Sequence, residues 1–508
     1  MRKGEFTGVT RRVTGLDPLA DDAGIPPPLP ALGDVPPEEF ARHAHALVDW
    51  MARYLADPER WPVLPDVRPG DVLARLPESP PADGEPLRRI LDDVERVIVP
   101  GLTHWNHPGF FAWFANSSSA PAILGEMLAA TLNVNAMLWK SAPAATELEL
   151  RTVDWLRQLL GMGDGWSGHI NDTASISTML ALAAAREAHP ELEIRERGMA
   201  GRTDLPALRV YASTLAHSSV DKSVITLGLG QRNLVKIGVD DKFRMRPDLL
   251  EAAMRADVAA GHRPIAVVAT VGTTGVASID PVREIAELCA RHGAWLHVDG
   301  AYGGMAAVVP EMRHVLDGVE MADSLVVNPH KWLFTPVDCS VLLTRRPDVL
   351  MRAFSLVPEY LRTAEQDSAV NLMDYGVQLG RRFRSLKLWM VMRAFGADGL
   401  AARLRDQIAM AGEFADMVRA EPGWKVVAPV HFSLVCFRWA PDDIDASERD
   451  AINRSIMDRV NASGRVFLSH AVVDGAFTLR LAIGNMRTTR EHVAEAWGLL
   501  REAAGSAR

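Results

Sequence analysis

Two segments carry residues out of keeping with their surroundings. Asn328-Pro329-His330-Lys331-Trp332 follows the apolar run Ser324-Leu-Val-Val327, and lysine is normally an exposed residue. Near an apolar strand end the ammonium form is disfavoured. The pKa then falls toward the neutral amine that attacks a carbonyl to form a Schiff base. Taken alone, Lys331 reads better as a surface lysine at a strand exit. The second segment, His297-Val298-Asp299-Gly300-Ala301, closes the preceding apolar run. Alternation with period two puts His297 and Asp299 on one face. Asp299 could simply cap the following turn; beside a reactive lysine it would instead hold a proton on a heterocyclic nitrogen by favouring the cation. The small residues Gly300 and Ala301 would let a flat ring lie against the backbone.

A third segment offers an anion cradle. Asp172-Thr173-Ala174-Ser175 precedes the helix-like run STMLALAAARE, and free N–H groups and the helix dipole favour negative charge at such a start. Hydroxyls there also serve as ordinary N-caps. His217, in His217-Ser-Ser-Val-Asp-Lys222, could stack on a conjugated ring or be a plain loop histidine. Thr273, in Thr270-Val-Gly-Thr-Thr-Gly275, could bond a phenolic oxygen or a substrate carboxylate, or belong to a simple turn. An amine, a carboxylate for a ring nitrogen and a phosphate cradle are together what pyridoxal 5'-phosphate (PLP) needs, since its protonated ring nitrogen makes it an electron sink. His297, Asp299 and His330 also match the residue types of a two-histidine, one-carboxylate iron site. Lys331 and the α/β context weigh against that reading, and no metal is expected.

Such residues need a scaffold that gathers strand ends. Strand-like segments at 264–271, 294–299 and 323–328 alternate with a helix-like one at 281–293, which predicts a mostly parallel sheet wrapped by helices. Ligands bind beyond the carboxyl ends of such strands. After about residue 387 a helical stretch leads to VHFSLVCFRW and FTLRLAIG, a smaller α+β unit. Upstream, Phe40, Ala44, Leu47, Val48, Met51 and Leu55 recur at helical intervals, as a core face or a partner face. The run Ile25-Pro-Pro-Pro-Leu-Pro favours an extended arm. The expected units are a flexible arm at 1–35, an N-terminal helical segment at 36–119, a large cofactor-binding domain at 120–386 and a small α+β domain at 387–508.

Composition narrows the class. A chain of 508 residues, 48% hydrophobic, can bury a large core. With 55 basic against 64 acidic residues and no long basic run, neither nucleic acid nor an anionic membrane is an expected partner. Cys289, Cys339 and Cys436 lie too far apart in sequence for a zinc motif or a disulfide framework, so a cytoplasmic setting fits. No run reaches signal-peptide length at the start or the roughly eighteen apolar residues of a membrane span. A soluble, unexported protein is expected.

Six segments, in order, resemble the group II PLP-dependent amino acid decarboxylases, particularly aromatic-L-amino-acid decarboxylases. They are Leu102-Thr-His-Trp-Asn-His-Pro, Thr173-Ala-Ser, His217-Ser-Ser-Val-Asp-Lys, His297-Val-Asp-Gly-Ala, Asn328-Pro-His-Lys-Trp and Leu379-Gly-Arg-Arg-Phe-Arg-Ser-Leu-Lys-Leu-Trp. The resemblance implies the α/β fold type I of PLP-dependent transferases, aspartate aminotransferase-like, as a homodimer with active sites at the subunit interface and dimerisation through 36–119. It makes Lys331 the Schiff-base lysine, Asp299 the partner of the pyridine nitrogen, His217 the stacked imidazole and Ala301 the small residue below the ring. Ala174, Ser175, Asn328 and His330 would surround the phosphate, with Thr273 near the reacting side. Tyr360, in Pro358-Glu-Tyr-Leu, becomes the mobile-loop residue that protonates the substrate carbanion.

By the same resemblance the substrate ring would meet Trp105, Trp113 and Phe114, with further wall residues crossing from a second subunit. Asn135 and Met137 stand where the family tends to be more apolar or aromatic. Gly380 resembles the glycine of plant relatives acting on indoles, where relatives acting on phenols carry serine. The implied reaction turns an aromatic L-amino acid into its amine and carbon dioxide, with tryptophan favoured and tyrosine, dopa and phenylalanine open. The alternative within the family is an aldehyde synthase; Tyr360 and His217 argue against it, because such relatives often replace one of the two. An aminotransferase and an inert binding paralogue are the remaining alternatives.

Overall fold

The computed structural model describes residues 33–356 and 369–506; most of the expected arm, and Tyr360, lie outside the described residues. The chain divides into two compact units at Thr103/His104. In the first, helix Pro37–Ala56 begins with proline at its first position and Glu38 and Glu39 in its first turn, the arrangement that a helix start favours. Its apolar stripe is not covered as a core face would be: no residue of the helix is fully buried, and Phe40, Leu47 and Val48 are exposed.

The second unit is built on a seven-stranded sheet. Its strands are β1 (Ser167–Asn171), β2 (Leu208–Ser213), β3 (Leu234–Ile237), β4 (Arg263–Thr270), β5 (Trp295–Asp299), β6 (Ser324–Val327) and β7 (Ser340–Thr344), in the spatial order β1-β7-β6-β5-β4-β2-β3. Only β7 runs antiparallel to its neighbours. Every residue of β5 and β6 is buried, because parallel strands are covered by helices on both faces; that is why they read as continuous apolar runs. Helix Val282–His292 buries Val282, Ile285, Ala286, Leu288 and Cys289 against the sheet and stops at Gly293, whose φ of 64° favours glycine.

A second, antiparallel sheet follows the helical segment Ser385–Ala420, which is broken at Gly396. It contains β8 (Trp424–Val426), β9 (Leu434–Trp439), β10 (Ser469–Val473) and β11 (Ala476–Ala482), in the order β10-β11-β9-β8. What matters for function is the end of the large sheet. Thr270 lies opposite Asp299, and Asp299 opposite Val326, so the carboxyl ends of β4, β5 and β6 open side by side. Among the described residues no helix is long and apolar enough to cross a membrane.

Candidate active site

Asp299 is the last residue of β5, and its Oδ1 accepts the Ala301 N–H at 3.1 Å. The Ala301 carbonyl in turn accepts the Asn328 N–H at 3.2 Å, which ties the turns after β5 and β6 together. Lys331 follows within one helical turn, Pro329–Trp332. Burial lowers the Lys331 pKa, and the nearby Asp299 carboxylate opposes the shift. His217 feels both groups: burial lowers its pKa first, Lys331 lowers it further, and Asp299 pulls it back up. These mutual influences put an amine from a helical turn, a carboxylate from a strand end and an imidazole from a loop within electrostatic reach of one another.

The orientations of the two imidazoles follow from their partners. His217 Nδ1 accepts the Ser219 N–H at 3.1 Å, and His330 Nδ1 accepts the Cys339 N–H at 2.9 Å. Both neutral rings therefore carry their proton on Nε2. Burial, then Lys331, pushes the His330 pKa down to about 3, so that ring is a neutral donor. His297 points elsewhere. Its Nδ1 meets the Ser324 hydroxyl at 2.9 Å and its Nε2 the Thr178 hydroxyl at 3.5 Å, which leaves neither nitrogen free for the iron-site reading. Among the described residues no group of three His, Cys, Asp or Glu side chains is arranged to hold a metal ion.

The anion cradle is open. Helix Ala174–Glu187 follows Thr173, whose side chain does not cap it; the Thr173 hydroxyl turns to Asp172 instead. First-turn amides are thus left for an external acceptor, and Ser175 is exposed beside them. Ser177 bonds Asn171 at 3.1 Å and Ser340 at 3.1 Å, which places the cradle next to Cys339 and His330. The buried Asn328 Oδ1 has no hydrogen-bond partner among the described residues. Its amide can be turned to present the NH2 group instead, since the two ends are assigned from their partners. An uncapped helix start, an unsatisfied amide, a neutral imidazole donor and a lysine of lowered pKa fit PLP.

The aromatic residues expected to meet the substrate ring pack near Lys331 through Phe114. Phe114 lies with its ring centroid 5.6 Å from Lys331 Nζ and stacks on Tyr302 at 3.7 Å. Trp105 stacks on Phe110 at 4.4 Å and on Trp113 at 5.6 Å. Asn135, Met137 and Gly380 make a second group. Asn135 Oδ1 accepts the Arg381 N–H at 2.9 Å, and its Nδ2 is 3.4 Å from Met137 Sδ. The buried Arg381 guanidinium bonds Glu149 and the Ile170 carbonyl, both at 2.7 Å, linking this group to the strand that leads into the cradle. Thr273 is fully buried, with its hydroxyl 2.8 Å from Ser278.

Residues 69–440 match the family described as the pyridoxal-dependent decarboxylase conserved domain. The chain belongs to the pyridoxal-dependent decarboxylase family. It is 40% identical over 479 residues to a tryptophan decarboxylase of Camptotheca acuminata, covering 92% of this chain and 95% of that one. The crystal structure of Oryza sativa TDC with PLP and tryptamine superimposes with a TM-score of 0.90 at 37% identity, covering 94% of this chain and 99% of that one. A Rhodiola rosea 4-hydroxyphenylacetaldehyde synthase superimposes with a TM-score of 0.86 at 35% identity, covering 93% and 99%. The decarboxylase therefore has fold type I, uses PLP and is a carboxy-lyase.

Three further residues around the site were missed by sequence reasoning. Ser219 orients His217, Tyr302 backs Phe114, and Arg480 of β11 holds the turn after β4 through the carbonyls of Thr274 and Gly275. Of these, Ser219 lies inside the segment His217–Lys222 singled out for its histidine alone, and Arg480 left a signal as a lone cation inside the apolar run FTLRLAIG.

Proposed function

We propose that the enzyme decarboxylates an aromatic L-amino acid, tryptophan before tyrosine, dopa or phenylalanine, as a cytoplasmic homodimer. The observation that carries this reading is the aromatic wall of Trp105, Trp113 and Phe114, with Phe114 5.6 Å from the Lys331 amine. A flat hydrophobic ring placed there gains both area burial and stacking. When bound, PLP withdraws electrons from the carbon that loses its carboxylate. Lys331 would carry the cofactor, and Asp299 would keep its ring nitrogen protonated. Ala174, Ser175, Asn328 and His330 would hold its phosphate, with His217 and Ala301 as the residues that would flank its ring. Thr273 supports the reacting side through its turn. Carbon dioxide leaves, and Tyr360, outside the described residues, delivers the proton that replaces it.

An exposed apolar face supports the dimer. Helix Ala120–Leu132 buries only Ala122 and Gly125, while Leu124, Met127, Leu128 and Leu132 are exposed. Asn135 and Met137 follow directly, so a second copy seated on this face would bring them to the neighbouring site as wall residues. The test is a product assay with purified holoenzyme over tryptophan, 5-hydroxytryptophan, tyrosine, dopa, phenylalanine and glutamate. One amine per carbon dioxide, from aromatic substrates only, is expected. Equimolar peroxide and ammonia would assign the aldehyde synthase reaction instead, and turnover of glutamate alone would overturn the aromatic pocket. Lys331→Ala should abolish turnover and the visible absorbance of the lysine-bound cofactor; retained activity would remove Lys331 from its role.

A further inference from the structure

Arg480 sits in the middle of β11 between Leu479 and Leu481, both fully buried. The guanidinium residue is itself 3% exposed. A buried cation is costly unless the bonds it makes compensate, and among the described residues its hydrogen-bond partners are all neutral. Nε donates to the Gly275 carbonyl at 3.0 Å, Nη2 to the Thr274 carbonyl at 2.8 Å, and Nη1 to the Ser469 hydroxyl at 2.8 Å. Cys436 Sγ adds a contact to the Gly275 carbonyl at 3.4 Å.

The Ser469 bond reaches the aromatic wall. The same Ser469 oxygen accepts the Trp113 N–H at 3.2 Å. Trp113 has a φ of 48°, left-handed backbone that a bulky residue adopts only when its surroundings hold it there. Arg480 Cζ also lies 5.6 Å from the Phe114 ring centroid, the same ring that faces Lys331 Nζ, a separation at which cation and ring attract. One planar fork on the small sheet thus grips the turn after β4 and, through Ser469 and directly at Phe114, two of the three wall residues, Trp113 and Phe114.

We infer that Arg480 is a positioning residue that sets the Trp113–Phe114 wall and the Thr274–Gly275 turn against the Lys331 cleft, and so governs binding of the substrate ring rather than the chemical step. The inference rests on the reading that Trp113 and Phe114 receive that ring. Arginine suits the task because its donors are fixed in one plane; a lysine ammonium keeps the charge but cannot span the three acceptors.

Arg480→Lys and Ser469→Ala would be compared with the wild-type holoenzyme for kcat and KM with tryptophan and phenylalanine, for bound cofactor by absorbance, and for amide hydrogen exchange across residues 110–116 and 272–277. In Arg480→Lys, KM should rise about tenfold with kcat within about threefold, the pattern of lost binding common to ground and transition states. Ser469→Ala should move KM the same way by less. Exchange should quicken in both segments in Arg480→Lys and in 110–116 in Ser469→Ala, with cofactor content unchanged. Unchanged KM with unchanged exchange, or a fall in kcat at constant KM, would overturn the inference. If Arg480→Lys does not fold, Ser469→Ala decides by the same criteria. If the wild type makes no amine from any aromatic amino acid, the proposed function falls, while exchange still decides whether Arg480 holds the two segments.

Discussion

Replacing Asp299 with asparagine separates the charge at that position from its shape. The residue is 6% exposed, and its Oδ1 accepts the Ala301 N–H, a bond that an asparagine oxygen also accepts. The fold should therefore survive, with Tm within about 3 °C of wild type, as expected for a loss near 1 kcal/mol in a chain of this size. What disappears is the negative charge that, in the proposed function, would face the ring nitrogen of the bound cofactor. An opposite charge at such range moves a pKa by roughly 1–3 units, or about 1.4–4 kcal/mol. If that stabilisation acts on the barrier, kcat falls by about tenfold to a thousandfold. Asp299 also holds up the pKa values of Lys331 and His217. Without it both fall further, a direction that favours the neutral lysine amine, so cofactor uptake should persist. The assay is amine release at saturating substrate, with cofactor content from absorbance and Tm from calorimetry. A fully loaded Asp299→Asn enzyme with kcat within about threefold of wild type would refute the role assigned to the carboxylate.

Three other outcomes are expected. A Cβ at Gly380 would meet only Asn135 Nδ2, at 3.8 Å, so Gly380→Ser should fold normally yet narrow the pocket, lowering kcat/KM for tryptophan about tenfold relative to tyrosine; an unchanged ratio would separate Gly380 from substrate choice. Burial pushes the His297 pKa to about 4, favouring the neutral ring in the folded state. Stability is then fully present above the unfolded imidazole value near 6.5 and is lost as pH falls through about 4, with His297 contributing about 3 kcal/mol. Denaturant titrations at pH 7, 5.5 and 4 should show the decline, and a His297→Gln variant with the same pH slope as wild type would contradict it. Leu128→Glu, on the exposed apolar face of helix Ala120–Leu132, should shift the enzyme from dimer toward monomer by analytical ultracentrifugation and reduce activity; a dimer of unchanged affinity would place the interface elsewhere.

Much of the large sheet was legible because buried parallel strands write themselves as unbroken apolar runs. The expected segments at 264–271, 294–299 and 323–328 correspond to β4, β5 and β6 to within a residue or two. Alternation correctly put His297 and Asp299 on one face but could not tell their fates apart. His297 lies one step deeper, where Ser324 and Thr178 enclose it, whereas Asp299 ends the strand and accepts the Ala301 N–H of the turn that follows.

Local sequence decided which residues had the right chemistry: a lysine, an aspartate and a hydroxyl-rich helix start each follow or precede an element whose period is readable over a few residues. Only the tertiary structure decided which distant groups they meet. Arg480 reaches a turn about two hundred residues earlier in the chain, and Arg381 reaches Glu149 beneath the cradle. Such pairings depend on sheet order and on the packing of one sheet against the other, long-range geometry that no local periodicity encodes.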